Sequence, residues 1–173
     1  MVDVAPTTEC DSTSIEQHKA GIRDLVEDAR LLWKHGRKFG AFVLVLVCVA
    51  GTARKRYPRK AGFSDNASFK RFVLDEMATI TGGPKYNVAF PFQGQDVCPL
   101  EDILYEQLRC HVLHEGSMPG SIYFTQTIYE DGKSLSVLKL TDPLGFPEQW
   151  VSNMVVAVCL APENKESFGL PFP

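Results

Sequence analysis

The stretch Gly40-Ala-Phe-Val-Leu-Val-Leu-Val-Cys-Val-Ala-Gly-Thr-Ala53 decides the fold of this 173-residue chain. It contains 14 consecutive uncharged residues, whereas a helix that spans a membrane needs roughly 20. Basic residues flank it on both sides, so it also lacks the charge asymmetry that orients a membrane span. Its β-branched residues would suit a buried strand, but its length favours a helix. We therefore expect residues 39–53 to form the buried central helix of a helical domain.

An amphipathic helix is predicted on the N-terminal side of this run, over residues 13–36. Thr13 or Ser14 can cap its start, with a glutamate or glutamine three residues later as in a capping box, and Gly36 ends it. Its apolar residues recur at helical spacing: Ile15, Ile22, Leu25, Val26, Ala29, Leu32 and Trp33. Because only a short turn separates the two predicted helices, they should form an antiparallel hairpin.

A third helix is predicted beyond the central run, over residues 67–79. Residues 54–62 precede it and are interpreted as a basic loop broken by a proline. Ser64 or Asp65 can cap the third helix, and the glycine-rich cluster at residues 81–84 should terminate it.

A fourth helix is predicted after residues 85–98, which show no clear periodicity and are interpreted as a loop. Pro99 suits the first turn of this helix, and the acidic residues that follow it complement the positive end of the helix dipole. The helix should run to Glu115 and stop at Gly116, a natural C-terminal capping residue.

The pattern changes in the last third of the chain. Residues 121–129 and 134–140 are rich in β-branched and aromatic residues, and the Asp131-Gly132 pair between them favours a β-hairpin. Residues 147–160 return to a helical pattern, and residues 162–173 are interpreted as a loosely held tail. The predicted architecture is thus mainly α: a bundle of about five helices with an inserted β-hairpin at 121–140.

Composition supports a single soluble domain over residues 1–173, with residues 1–12 as a second loose tail. The chain is 45% hydrophobic and 23% charged, with a formal net charge of −3, as in ordinary globular proteins. Its five cysteines are scattered and form no C-x-x-C pair, so neither a zinc ribbon nor a redox motif is indicated. A reducing cytoplasm fits this cysteine usage, and the polar N-terminus lacks the apolar core of a signal peptide.

Positive charge is concentrated in one segment. Residues 34–64 contain no acidic residue but eight basic ones, and such a local field can attract a polyanion to a protein that is acidic overall. Five of these basic residues are the candidate track for nucleic-acid phosphates: Arg54, Lys55, Arg56, Arg59 and Lys60. A solvated basic loop is the alternative interpretation.

The candidate for chemistry is the run Tyr105-Glu-Gln-Leu-Arg-Cys-His-Val-Leu-His-Glu-Gly116 on the fourth helix. Arginine offers a permanently charged, bidentate fork for a phosphate oxygen, and histidine exchanges protons near neutral pH. Together they suffice for metal-free RNA cleavage, with one group deprotonating a 2′-hydroxyl and the cation stabilising charge on the phosphoryl oxygens. On an α-helix, Tyr105 and Arg109 share one face, and so do His111 and Glu115.

The segment Arg109-Cys-His-Val-Leu-His114 resembles the R-x4-6-H motif of the HEPN superfamily. HEPN domains are small helical bundles, and their active members are metal-independent ribonucleases of toxin–antitoxin, phage-defence and CRISPR-associated systems. The resemblance implies that Arg109 binds the scissile phosphate and His114 transfers a proton, with Tyr105, His111 and Glu115 as supporting candidates. It also implies a homodimer with two facing motifs, an RNA substrate, a possible antitoxin or defence-system partner, and no cofactor, metal or membrane. Cys110 departs from the family, whose members commonly carry a polar residue there.

Other interpretations of the same run remain open. Arg109 could pair with Glu106 or Asp102 as ordinary helix surface. His111 could chelate a divalent ion together with His114 or Glu115, although no third ligand is evident. A thiol–imidazole pair of Cys110 and His111 is disfavoured, because neighbours on an α-helix point about 100° apart. The chain could also be a non-catalytic HEPN-like module for dimerisation or protein interaction.

Overall fold

The central apolar run forms a buried helix, as predicted. The computed structural model describes residues 21–83, 88–130 and 133–169. Helix α2, Lys38–Arg56, contains the run, and its Phe42, Leu46 and Val49 side chains have no exposed surface. Helix α1, Ile22–Lys34, precedes it and packs against it as the first arm of a helical hairpin. No helix of the described part is long and apolar enough to cross a bilayer.

Both ends of this hairpin differ from the prediction. Gly21 has extended backbone angles and caps α1, with the Asp24 carboxylate accepting its N–H at 2.6 Å. The helix predicted over residues 13–36 therefore does not pass through Gly21, and its predicted cap lies outside the described residues. At the other end, α2 continues through Arg54–Arg56 instead of giving way to a loop. The first third of the predicted basic loop therefore belongs to the last turn of the central helix.

The third predicted helix is present but divided. A short 3₁₀ turn at Arg59–Ala61 precedes helix α3, Asp65–Asp75. Ser64 caps this helix, because its hydroxyl accepts the backbone N–H of Ala67. Helix α4, Met77–Thr81, follows a one-residue break and ends at a left-handed glycine. The glycine-rich stop signal was therefore correct, although the last residue of the predicted cluster is outside the described residues.

Residues predicted as loop form a β-hairpin. Strand β1, Ala89–Phe92, pairs antiparallel with β2, Gln95–Pro99. Gln93 and Gly94 both have positive φ, the combination that a tight two-residue hairpin turn requires. The proline inside β1 weakened the strand pattern, and Gln-Gly is not one of the usual hairpin dipeptides, so the local signal was missed.

The fourth helix, α5, covers residues 100–115 and has three parts. A first α-helical turn, Leu100–Asp102, leads into a π-helical segment, Ile103–Cys110, and an α-helical end, His111–Glu115. Gly116 terminates it in the left-handed conformation, as predicted. The wide middle segment was not expected, and the angular positions calculated from α-helical spacing do not apply within it.

The predicted hairpin at 121–140 exists only in its central part. Strand β4, Ile128–Glu130, pairs antiparallel with β5, Lys133–Leu135. The preceding strand β3, Ile122–Thr125, instead pairs parallel with β6, Leu144–Pro147. This long-range pairing depends on a glycine, because a Cβ at Gly145 would lie 2.6 Å from the Thr125 methyl carbon.

The C-terminal region is the last correction. Helix α6, Glu148–Leu160, agrees with the prediction, but residues 162–169 are not a loose tail. They form a 3₁₀ turn, Pro162–Asn164, and helix α7, Lys165–Phe168. The buried Asn164 amide donates to the Thr52 hydroxyl at 2.8 Å and to the carbonyl of Val158 at 2.9 Å, which docks this segment on α2 and α6. Residues 170–173 lie outside the described part.

Candidate functional site

A small cleft lies where α5 crosses α2 and α3. It has a volume of about 180 Å³ and contains the predicted catalytic arginine. Its lining residues come from three helices: Ala50, Arg54, Asp65, Ser68, Phe69, Tyr105 and Arg109. The cleft therefore combines two residues of the predicted catalytic run with one from the predicted phosphate track.

Arg109 lies at the end of the π-helical segment with its guanidinium over an aromatic ring. The distance from its central carbon to the Tyr105 ring centroid is 5.4 Å, and Tyr105 in turn packs against Phe69, with ring centroids 5.4 Å apart. The prediction that Tyr105 and Arg109 lie together is confirmed. This stack orients the guanidinium and leaves its N–H edge available, as arginine–aromatic stacking allows.

The hydrogen-bonding capacity of Arg109 is largely unused. Its Nε is buried and has no partner in the described structure. Within the described part of the chain, its one hydrogen-bond contact runs from Nη1 to the sulfur of Cys110 at 4.0 Å, and sulfur is a weak acceptor. No described carboxylate forms an ion pair with it. Because a guanidinium carries five donors, most of them remain available for an anionic ligand.

The interpretation of Arg109 as half of a surface ion pair is wrong. The two carboxylates considered for that role, Asp102 and Glu106, both form ion pairs with Lys70. The distances from Lys70 Nζ are 2.8 Å to Asp102 and 2.7 Å to Glu106. Partial burial lowers the pKa of Lys70, but the hydrogen bonds that its ammonium donates to these two carboxylates more than offset this effect, and the net shift is upward. Both carboxylates therefore have Lys70 as their ion-pair partner, and neither pairs with Arg109 in the described structure.

Arg54 forms a second wall of the cleft and is held in place by the chain itself. Its guanidinium pairs with the carboxylate of Asp65 and donates to the backbone carbonyl of Phe63 at 3.2 Å. The hydroxyl of Ser68 binds the Tyr57 carbonyl at 2.7 Å and so fixes the same connection between α2 and α3. Two arginines and one aspartate line the cleft, so its formal charge is +2 − 1 = +1.

The other candidates of the predicted catalytic run do not reach this cleft. His114 and Glu115 are exposed on the last turn of α5, and His111 is half-buried. None of the three lines the cleft. The described chain therefore does not bring Arg109 and His114 together in one cavity. No cluster of three or more histidine, cysteine, aspartate or glutamate side chains suitable for a metal ion occurs among the described residues.

Within the predicted phosphate track, Arg56 has several internal partners. It bonds to Glu163 and to Glu76, each at 2.9 Å, and Asp75 lies 3.9 Å away. Its central carbon is 4.7 Å from the centroid of the Phe72 ring. These carboxylates oppose the positive charge that the sequence indicated at this position.

The rest of the track is only partly accessible to a ligand. Lys55 donates to the amide oxygen of Asn164 at 2.9 Å, and Arg59 pairs with Asp65 at 2.7 Å. Lys60 is exposed and has no recorded partner in the described part of the chain. Local sequence could not reveal the partner of Lys55, because Asn164 lies 109 residues away in the chain.

Apart from Ala50 of the central helix, three cleft residues were not predicted as functional. Asp65 was considered only as a helix cap, and Ser68 and Phe69 only as part of the third helix. Their positions depend on how α3 packs against α2 and α5, for which the local sequence carries no signal. Asp65 matters most, because its single negative charge sets the net charge of the cleft.

Comparison with known proteins places the chain in a family. Residues 21–168 match the family model Rv1289. The chain belongs to the Rv1289 family. The match spans every described element from α1 to α7, so the cleft lies wholly within the family region. No curated protein and no solved structure matches this member of the Rv1289 family.

Proposed function

We propose that this Rv1289-family protein binds RNA through the Arg109 cleft and cleaves it without a metal ion, as a HEPN-like homodimeric helical bundle. The observation that carries the proposal is that Arg109, whose buried Nε has no partner in the described structure, lines a cleft together with Arg54. A buried donor without a partner costs about 1–3 kcal/mol, and a phosphate oxygen would remove that cost.

The charge of the cleft supports a phosphodiester as the ligand. The net formal charge of +1 from its lining residues matches the single negative charge that each internucleotide phosphate carries. Tyr105 is half-buried beside the arginine and offers an aromatic edge, and aromatic side chains commonly contact nucleic-acid bases in single-stranded RNA. RNA as the particular polyanion comes from the resemblance of the Arg109–His114 spacing to the HEPN motif, as do the toxin or defence role and its partner.

The exposed position of His114 defines what the cleavage step requires. Because this histidine does not line the cleft of its own chain, it acts on a phosphate held by Arg109 of the second subunit. In that arrangement His114 either accepts the proton of the 2′-hydroxyl or donates a proton to the leaving oxygen. Arg109 stabilises the charge on the phosphoryl oxygens. Homodimerisation is therefore a necessary part of the cleavage proposal but not of RNA binding.

The binding test uses a fluorescent single-stranded RNA and three variants. Arg109→Ala should weaken binding at least about tenfold, since charge-assisted hydrogen bonds contribute about 1.5–3 kcal/mol each. Arg109→Lys should recover part of the affinity by keeping the charge without the fork. Arg23→Ala is the matched control, because Arg23 is an exposed arginine already paired with Glu27. Equal affinities for Arg109→Ala and Arg23→Ala would exclude the cleft as the RNA site.

The cleavage test separates the enzyme from a binding module. The wild-type protein should degrade the RNA in the presence of a chelator. His114→Ala should abolish that activity and leave RNA affinity nearly unchanged. Loss of activity in chelator would contradict the metal-free mechanism, and binding without any cleavage would favour the non-catalytic module. A mixture of inactive Arg109→Ala and His114→Ala chains should regain activity if each site uses both subunits.

A further inference from the structure

A second cavity lies on the opposite side of the central helix from the RNA-binding cleft. Helices α1, α2 and α6 enclose a groove of about 330 Å³, which is larger than the cleft at Arg109. Its floor is formed by Val45 of α2 and by Val151 and Val155 of α6, and Trp33 of α1 forms one wall. The volume falls within the range of about 300–1,000 Å³ that is typical of small-molecule sites.

The groove is apolar inside and positive at its rim. Apart from Ser152, its polar lining residues are two cations, Arg30 and Lys34, which lie one turn apart on α1. Both are exposed, and no acidic residue of the described part of the chain lines the groove. On the same helix, by contrast, Arg23 forms an ion pair with Glu27.

The two rim cations have little internal compensation. Arg30 donates to the sulfur of Cys159 at 3.7 Å, which is a weak acceptor. Lys34 has no recorded hydrogen bond or ion pair in the described residues. An apolar cavity with two uncompensated cations at one edge is complementary to a molecule with an apolar body and an anionic end.

We propose that this groove binds a fatty acid. Its alkyl chain lies against Val45, Val151 and Val155, and its carboxylate contacts Arg30 and Lys34. A single unbranched chain fits a groove between three helices, whereas a docked protein would need an interface of more than about 1,000 Å². This site is independent of the RNA-binding cleft, so it holds whether or not the chain binds or cleaves RNA.

Trp33 provides a direct readout of binding. The chain has two tryptophans, and the second, Trp150, is buried away from the groove lining. In a Trp150→Phe background, titration with decanoate below its aggregation concentration should produce a saturable change in Trp33 fluorescence. Decanol, which has the same chain but no charge, should bind at least tenfold more weakly.

Two variants test the two halves of the site. Replacing Arg30 and Lys34 together with alanine should reduce decanoate affinity at least tenfold and leave decanol affinity unchanged, while Arg23→Ala serves as the control cation. Val156→Glu places a negative charge at a lining residue that is 42% exposed, so it should block decanoate without disturbing the core. Unfolding midpoints of all variants verify that they fold.

Three results would overturn the proposal. The first is no saturable fluorescence change with decanoate. The second is equal affinity for decanoate and decanol in the wild-type groove. The third is a dimer, seen by sedimentation, that Val156→Glu dissociates, because the groove would then be an interface between two copies of the chain.

Discussion

Arg56 and Arg109 show how the same side chain can have two different roles in one small protein. Both guanidinium groups lie over an aromatic ring, Phe72 for Arg56 and Tyr105 for Arg109. Arg56 also binds the carboxylates of Glu76 and Glu163, whereas Arg109 has no ion pair in the described structure and a buried Nε without a partner. The aromatic ring orients each guanidinium, but only Arg56 has carboxylates within the fold that pair with its charge.

The difference extends to the elements that each arginine joins. Arg56 ends α2 and connects it to the turn after α3 and to the C-terminal segment, through Glu76 and Glu163. Among the described residues, Arg109 has no hydrogen bond or ion pair to another element, although it lines the cleft together with residues of α2 and α3. Removing Arg56 should therefore affect folding, and removing Arg109 should affect ligand binding.

The largest expected effect is on the stability of Arg56→Ala. Its side chain is only 16% exposed and faces three carboxylates, and removal of one partner of a buried ion pair costs about 3–5 kcal/mol. Because these pairs remain partly solvated, we expect a loss of about 3 kcal/mol in the free energy of unfolding, measured by urea denaturation.

The matched control for this measurement is Lys55→Ala on the same helical turn. Lys55 is exposed and makes a single recorded hydrogen bond, to Asn164, so its loss should cost less than about 1 kcal/mol. If Arg56→Ala were no more destabilising than Lys55→Ala, the carboxylates around Arg56 would not be structural, and the contrast with Arg109 would disappear.

These pairings mark the limit of what the sequence could predict about the site. The sequence correctly identified the helix carrying Arg109 and the proximity of Tyr105, because both depend on local spacing. It assigned Arg56 to a ligand-binding track, since Glu76 and Glu163 lie 20 and 107 residues away in the chain. A cluster of basic residues in sequence is therefore weak evidence for a basic surface.

The fold shows the same division between local and distant information. Hydrophobic periodicity and capping residues predicted the five main helices, and the Asp131-Gly132 pair in the sequence predicted the antiparallel pairing of β4 with β5. The parallel pairing of β3 with β6 joins residues about 20 positions apart, and no local signal specifies it. The π-helical segment of α5, Ile103–Cys110, likewise has no local signal in the sequence.

A medium effect is expected at Glu101, a buried group of opposite charge on the same helix as Arg109. Its side chain is buried and its Oε2 has no partner among the described residues. Burial raises the pKa of this carboxyl, so the folded state binds its proton more tightly than the unfolded state does. Stability is then lost as pH rises from the ordinary glutamate pKa through the folded pKa. Glu101→Met should raise the free energy of unfolding at pH 7 by about 1 kcal/mol.

The pH dependence of this gain is the control. Below about pH 4, where Glu101 is protonated in both states, the gain of Glu101→Met should shrink toward zero. A gain that stayed constant from pH 4 to pH 7 would indicate better packing by methionine instead of removal of a buried charge. Destabilisation at pH 7 would mean that the Glu101 carboxylate has a stabilising partner.

The smallest effect on stability is expected for Arg109→Met, although this residue carries the proposed function. Methionine keeps an unbranched apolar stem over Tyr105, removes the unpartnered buried Nε, and leaves no carboxylate without its cation. The lost cation–π contact contributes about 0.5–1 kcal/mol at a partly exposed site, and removal of the unsatisfied donor offsets part of it. The free energy of unfolding should therefore change by less than about 0.5 kcal/mol, as measured by urea denaturation beside Arg56→Ala.

A loss of 2 kcal/mol or more would assign Arg109 the same structural role as Arg56 and would explain any loss of RNA binding by misfolding. A stable variant that no longer binds RNA would instead show that the two arginines have different roles. Arg56 would then be needed for folding, and Arg109 only for binding the ligand.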